Sequence, residues 1–160
     1  MTQALPLLNP PVPAAAGQAC DWGSLPITAL ALATANAARA HTGLVFAIAG
    51  DERQAYRIER ELRFFAGSEL PVLHLPDTEV LPYDQFSPHQ EILSDRLAAL
   101  YALPTQTRGI VLATADALIQ RLPPRQFIDG QAVMLQTGDK LDPQQFRRSE
   151  ERRVGKECRL

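Results

Sequence analysis

Three short apolar segments divide the chain, each bounded by polar or turn-forming residues: Leu44–Ala49, Val72–Leu75 and Gly109–Ala113. Short continuous apolar runs between turn signals are typical of strands in the interior of a parallel sheet. We therefore predict three strands of a parallel sheet. The first of them, Leu44–Ala49, is predicted to be buried on both faces.

Between these segments the sequence favours helices. Ile27–Ala40 is rich in alanine and is preceded by Ser24 or Leu25 as the cap, with Pro26 just inside. Glu52–Ala66 begins after Gly50-Asp51 and stops at Gly67. Ala115–Arg121 is predicted to be capped by Thr114 and ended by Pro123-Pro124.

A longer helix is predicted from Pro88 to about Leu103, where Pro104 ends it. Ser87 and Gln90 have the spacing of a capping box, and Pro88 would take the tolerated first helical position. The predicted apolar face of this helix consists of Ile92, Leu93, Leu97, Leu100 and Tyr101.

Strands that alternate with helices predict an α/β fold: a doubly wound, mainly parallel sheet with helices on both faces. Residues 1–16 are rich in proline and alanine and are predicted to be an irregular, poorly anchored leader. Residues 17–131 form the predicted domain. In residues 132–149, Ala132–Leu135 is a candidate strand, and a helix starting at Asp142-Pro143 is cut off at once, so we expect the last element to be incomplete.

Charge and composition narrow the functional classes. The formal net charge of -2 does not suit a free-standing binder of phosphate backbones. Two cysteines near opposite ends and three histidines indicate neither a disulfide framework nor a metal site. No run is long enough to span a bilayer and no signal peptide is recognisable, so we expect a cytoplasmic protein that does not contact membranes.

Neither lysine lies in a phosphate-loop pattern, so we expect this chain not to hydrolyse ATP. A phosphate loop needs Gly-x-x-x-x-Gly-Lys-Ser/Thr, and neither Lys140 nor Lys156 has that context. Gly23-Ser24 could bind an anion at the start of the first helix, but a plain cap is the favoured interpretation because the lysine and a second glycine are missing. No cofactor is predicted.

Other candidate residues have ordinary structural interpretations. His74 lies between leucines and is expected to be a core or sheet-edge histidine, and His89 lies in the first turn of a helix. The acidic loop Asp77, Glu79 and Asp84 is interrupted by prolines and lacks histidine or cysteine at ligand spacing. Arg53, Arg57, Arg60 and Arg63 alternate with glutamates and predict a solvent-exposed, ion-paired helix face, with a partner surface as the alternative.

One segment resembles a known family. Leu81-Pro82-Tyr83-Asp84-Gln85-Phe86-Ser87-Pro88-His89-Gln90-Glu91-Ile92, followed by Arg96-Leu97 and Leu100-Tyr101-Ala102-Leu103-Pro104, closely resembles the N-terminal region of the bacterial transcription-repair coupling factors, the Mfd family. The resemblance extends from about Gly17 to Ser149. The tail from Glu150 to Leu160 departs from the family pattern and looks like foreign sequence joined to a truncated frame.

The resemblance implies a module and not an enzyme. In that family this region is similar to the first domain of UvrB, a degenerate ATPase-like fold without a working phosphate loop, and residues 132–149 would begin a domain inserted after it. UvrA and RNA polymerase would be partners only through the full-length translocase, and DNA binding by this chain would be weak or absent. No catalytic residue is carried over. The matching positions are expected to be structural: Leu81, Pro82, Tyr83, Asp84, Phe86, Ser87, Pro88 and Arg96.

Two other functional classes stay open. A small α/β enzyme or ligand-binding domain could use the cleft at the carboxyl ends of the strands, where Asp51, Asp77 and Thr114 would gather. A single-stranded nucleic-acid binder could stack bases on Tyr83 and Phe86, although the surrounding loop is acidic.

Overall fold

The computed structural model describes residues 6–78, 80 and 88–131. The elements follow the order α1 (Ile27–Ala40), β1 (Leu44–Ala49), α2 (Glu52–Ala66), β2 (Val72–Leu75), α3 (Gln90–Ala102), β3 (Gly109–Thr114), α4 (Ala115–Ile119) and α5 (Arg125–Gln131). A single 3-10 turn, Leu103–Thr105, follows α3. Among the described residues no helix is long and apolar enough to cross a membrane.

The three strands form one parallel sheet in the order β1-β3-β2. The central strand β3 is buried along its whole length, whereas β1 and β2 each pair with β3 alone within the described part of the chain. Helices α1 and α2 pack on one face, around Leu62, Ile110 and Leu112. Helices α3 and α5 cover the other face around Leu100 and Ala113. The predicted α/β class, with a parallel sheet flanked by helices, is confirmed.

The close approach of β2 and β3 depends on Gly109. Its φ of 140° lies where side chains are strained, and a Cβ added there would lie 2.6 Å from the Pro71 carbonyl oxygen. That same oxygen accepts a hydrogen bond from the Ile110 amide at 2.9 Å. Glycine therefore allows the first ladder bond between the two strands.

The predicted strand positions are right, but the burial of β1 is not. Phe46 and Ile48 are 52% and 62% exposed. Their neighbours Val45 and Ala47 face α1 and α2, because side chains alternate along a strand. Within the described residues the opposite face of β1 is exposed because the helices on that face lie over β2 and β3.

Several helix limits also differ from prediction. The N-cap of α1 is Pro26 and makes no side-chain cap bond, so Ser24 and Leu25 are not its cap. Helix α3 begins at Gln90 with His89 as its N-cap, two residues later than predicted, and Ser87 lies outside the described residues. Helix α4 ends at Ile119, before Arg121, and α5 has no counterpart among the predicted elements.

The apolar face predicted for α3 is wrong in part. Leu93, Leu97 and Tyr101 are 37 to 41% exposed. The buried residues of the helix are Arg96, Ala99 and Leu100. Arg96 lies on the face that packs against the sheet, so apolar periodicity alone predicts the wrong buried face for α3.

The leader is irregular, but the part described is held to the domain. The Asn36 side chain on α1 donates to the Leu7 carbonyl oxygen at 3.0 Å. The Trp22 indole donates to the Pro11 carbonyl oxygen at 2.8 Å. The expectation of a poorly anchored leader is therefore wrong for residues 7–11. The candidate strand Ala132–Leu135 and the helix at Asp142-Pro143 lie outside the described residues.

Candidate functional site

The carboxyl ends of the strands are where a parallel sheet usually places its chemistry. Two of the polar residues predicted there are helix caps. The Asp51 carboxylate accepts from the Gln54 amide at 2.7 Å, and the Thr114 hydroxyl accepts from the Ala117 amide at 3.1 Å. The predicted cap role of Thr114 is confirmed. Both oxygens therefore satisfy backbone amides at helix N-termini.

The third residue of that group, Asp77, belongs to a local network. Its carboxylate accepts from the Thr78 amide at 2.7 Å and from the Gln120 side-chain amide. Gln120 also donates to the Thr78 hydroxyl at 3.0 Å. These contacts connect the segment after β2 to the end of α4. Asp51 and Thr114 thus cap helices, and Asp77 helps to hold the segment after β2 against α4.

Arg96 is the central group of this edge. Its side chain reaches from α3 across the sheet end and donates to the Pro76 carbonyl oxygen at 2.6 Å and to the Ala117 carbonyl oxygen at 3.3 Å. The residue is 6% exposed. Burial lowers the pKa of Arg96, while Asp77 and Glu52 act in the opposite direction. Arg96 therefore ties three segments together at one point.

A second polar cluster lies beneath β2 on the face covered by α2. The His74 Nδ1 lies 2.9 Å from a Glu59 carboxylate oxygen, and its Nε2 lies 3.4 Å from a Glu52 oxygen. The His74 side chain is 8% exposed, and the Tyr56 ring packs edge-on against it at 5.2 Å between centroids. His74 is thus a buried histidine on an edge strand, in line with the structural interpretation of its sequence context.

Glu59 is the most constrained acid of this cluster. It receives two hydrogen bonds from Arg63, at 2.9 and 2.7 Å, in addition to its contact with His74. The hydrogen bond with His74 lowers the pKa of Glu59 most, burial opposes this, and Arg63 adds to the lowering. The net direction is downward from the ordinary value of 4.5. Glu59 therefore stays ionised in the folded protein at pH values where it would protonate in the unfolded chain.

This shift predicts a pH-dependent contribution to stability. A carboxyl group with a lowered folded-state pKa stabilises the fold above its ordinary pKa of 4.5 and loses that contribution as the pH falls through the folded value. We expect Glu59→Gln to lower the free energy of unfolding at pH 7 by about 1.5 to 3 kcal/mol, because charge-assisted hydrogen bonds to His74 and Arg63 are lost. Urea unfolding of wild type and Glu59→Gln at pH 7 and pH 3 measures this difference in the free energy of unfolding.

The difference between wild type and Glu59→Gln should be smaller at pH 3 than at pH 7, because the stabilising contribution of the ionised carboxyl is progressively lost below the ordinary pKa of 4.5. Glu69→Gln is the matched control, since Glu69 is exposed in the turn after α2. A destabilisation by Glu59→Gln that is equal at both pH values would contradict the assignment of the effect to the carboxylate charge.

At the start of α1, where Gly23-Ser24 could bind an anion, the structure gives the glycine amide an internal partner. The Gly23 amide, a donor that an anion would need, is bound by the Asp21 carboxylate at 2.7 Å. Gly23 has φ 66°, and the helix begins further on, with Pro26 as the N-cap. The Asp21 carboxylate thus already binds the amide that a phosphate would need. The Ser24 side chain does not cap α1.

The remaining predicted site residues divide into described and undescribed groups. Leu81, Pro82, Tyr83, Asp84, Phe86 and Ser87 lie outside the described residues, so their predicted structural role stays a prediction. Pro88 precedes α3, and His89 is exposed at its start, 4.0 Å from Glu91. Among the described residues no group of three potential ligands could hold a metal ion. The arginines of α2 are exposed, as predicted for a solvent face.

Sequence reasoning missed the paired glutamates around His74. Glu52 and Glu59 are two turns apart on α2, and that spacing was the available signal because it places both on one helix face. Nothing local indicated that this face would meet the histidine of β2. The missing information was the register of α2 against the sheet.

No family model matches the chain. It is similar to curated proteins named transcription-repair-coupling factor: 40% identical over 130 residues to that of Escherichia coli, 39% over 111 residues to that of Haemophilus influenzae and 34% over 114 residues to that of Myxococcus xanthus. These matches cover 81%, 69% and 66% of this chain, which spans only 11%, 10% and 10% of the respective relatives. The predicted resemblance to the transcription-repair coupling factors is confirmed.

Proposed function

We propose that this chain is a non-catalytic module of a transcription-repair coupling factor, with an α/β domain that serves as a scaffold. The proposal rests on one observation: the polar groups at the carboxyl edge of the sheet are hydrogen-bonded within the fold. Asp51 and Thr114 cap helices, Asp77 is bound by Gln120, and Arg96 is bound to two carbonyl oxygens. These groups hold segments of the fold, which disfavours the alternative of an enzyme or ligand site in that cleft.

The surface of β1 supports a module that packs against other parts of a larger protein. Phe46 and Ile48 present an exposed apolar row on an edge strand. Ile119 at the end of α4 is 81% exposed. Exposed apolar residues that share one strand face, such as Phe46 and Ile48, are typical of interaction sites when they form a patch. In the proposed role this surface is covered by neighbouring domains of the coupling factor.

We propose that the activity of the whole coupling factor resides in regions of the relatives that this chain does not cover. We infer that the longer protein is an ATP-driven DNA translocase that displaces stalled RNA polymerase and recruits UvrA. The chain would support these activities in the cytoplasm as a domain similar to the first domain of UvrB. Its net charge of -2 favours little or no binding of DNA on its own.

The proposal predicts that the chain does not bind nucleotide. Lysine is confined to Lys140 and Lys156, outside any phosphate-loop pattern, and the Gly23 amide is bound by Asp21. A triphosphate would therefore meet a carboxylate where it needs donors and positive charge. Isothermal titration of the 160-residue chain with Mg-ATP should show no saturable binding at micromolar concentrations.

Asp21→Asn is the matched variant, because it removes the competing charge and keeps the turn. It should leave the titration unchanged, since the lysine and the glycine-rich loop are still missing. Saturable micromolar binding by wild type would contradict the non-catalytic assignment and favour a ligand-binding domain. Binding gained by Asp21→Asn would place a cryptic anion site at the start of α1.

A further inference from the structure

A groove follows the outer edge of β2, between helices α2 and α3. One part, of about 530 Å³, is bounded by Tyr56, Glu59, His74, Asp95 and Ala98 together with their neighbours. A second part of about 370 Å³ continues it toward the amino end of the strand. Both parts share Val72, Leu73 and Arg63, so the groove runs along the whole strand.

The floor of the groove is strand backbone. In a parallel ladder the carbonyl and amide groups of alternate residues point to opposite sides. The Pro71 carbonyl bonds to the Ile110 amide of β3, which assigns the carbonyls of Val72 and His74 to the outer side. Among the described residues no strand pairs with β2 on that side. The edge therefore offers donors and acceptors to an added strand.

The two walls differ in chemistry. The α3 wall is smooth and apolar where it carries Ala98, Ala99 and Ala102. The α2 wall carries Tyr56 and the Glu59–Arg63 ion pair. A strand laid along the floor would point alternate side chains at the two walls, and the alanines leave room for apolar side chains.

The charge of the groove is set by Asp95. On the α2 wall the charge of Glu59 is matched by Arg63, at 2.7 Å. Asp95 is exposed on the α3 wall and makes no ion pair within residues 6–78, 80 and 88–131. A lysine or arginine of a bound segment could therefore pair with Asp95, whose charge the described residues do not compensate.

We propose that the β2 edge is a docking site for an extended segment of a protein partner, added as an outer strand and carrying a lysine or arginine opposite Asp95. Pro76 follows β2 on the outer side, has no amide to donate, and its carbonyl oxygen is already bound by Arg96, so the paired stretch is short, limited to Val72–Leu75. The apolar side chains of the segment would pack against Ala98 and Ala102. This is strand addition, in which backbone bonds supply affinity and the walls supply specificity.

The test uses the 160-residue chain and a phage-displayed library of random dodecapeptides. Selected peptides should carry apolar residues at every second position and share one lysine or arginine. The synthesised consensus peptide should bind in an isothermal titration. N-methylation of the peptide amides on one edge should abolish binding, because it removes the donors that pair with β2. Selection of peptides without alternation, or unchanged binding after N-methylation on either edge, would overturn the proposal.

Variants of the chain then locate the site. Asp95→Asn should weaken binding of the consensus peptide by about threefold to fivefold, the range of an exposed ion pair. Ala98→Arg should weaken it by more than about tenfold, because it fills the groove and places like charge beside the peptide cation. Asp116→Asn, an exposed acid on α4, is the control and should change nothing. Binding that persists at full strength in Ala98→Arg, with an unchanged melting temperature, would place the peptide elsewhere.

Amide hydrogen exchange of the free chain tests whether the edge is open. The Val72 and His74 amides should exchange faster than those of Leu73 and Leu75, which face β3, and the consensus peptide should slow them. Equal, slow exchange at all four amides in the free chain would show that its own residues occupy the edge, and would overturn a partner site there.

Discussion

Replacing Arg96 by methionine is expected to lower the free energy of unfolding by about 2 to 4 kcal/mol, because two backbone carbonyl oxygens lose hydrogen bonds to a buried charged donor. Methionine keeps most of the side-chain volume and removes the donors. The carbonyl oxygens of Pro76 and Ala117 would then lose their bonds to the guanidinium, at 2.6 and 3.3 Å. The charge that faces Asp77 and Glu52 is lost as well.

Urea unfolding and thermal melts of the 160-residue chain measure this effect. Arg96→Lys should recover only part of the stability, because one ammonium cannot reproduce a guanidinium that bonds to two carbonyls through separate nitrogens. Arg57→Met is the matched control on the exposed side of α2 and should change the stability by less than about 0.5 kcal/mol. Equal small effects of the substitutions at 96 and 57 would show that Arg96 does not hold this edge together.

The regular elements were predictable because their signals are local. The three apolar runs became β1, β2 and β3, and the limits of α1 and α2 agree with prediction. For α2 the reason is explicit: Asp51 caps its start and Gly67, at φ 62°, ends it. The alternation of strands and helices was then enough to predict a parallel sheet.

The packing was less predictable because it depends on contacts distant in sequence. The buried face of α3 contains Arg96, whose partners Pro76 and Ala117 lie 20 and 21 residues away. Periodicity counts apolar residues, so it assigned Leu93 and Leu97 to that face and did not place the arginine there. The same limit applies to β1, whose apolar residues resemble those of a central strand although it pairs with a single strand within residues 6–78, 80 and 88–131.

The candidate site was predicted in composition, but among its three residues only the cap role of Thr114 was predicted. Asp51, Asp77 and Thr114 do lie where the strands end, as the topology implies. Whether such groups are caps or catalysts depends on which donors approach them, and those donors come from Gln54, Gln120 and Ala117. The identity of these donors follows from the folded structure and not from any motif.

The measurement that most directly tests the scaffold role is a transplant into a relative. The matching segment of the Escherichia coli transcription-repair-coupling factor, 40% identical over 130 residues, is replaced by the corresponding residues of this chain. Since a scaffold contributes its fold and no chemistry of its own, the chimera should restore preferential repair of transcribed strands in cells that lack a coupling factor. The same chimera with Arg96→Met should lose most of that repair at elevated temperature, because its scaffold unfolds.

Deletion of the segment is the negative control, and the level of chimera in the cells is checked by immunoblot. Repair close to that given by the intact relative is the expected result. A chimera that accumulates normally and melts cooperatively, yet restores no more repair than the deletion, would contradict the assignment of this chain as a scaffold module of a coupling factor.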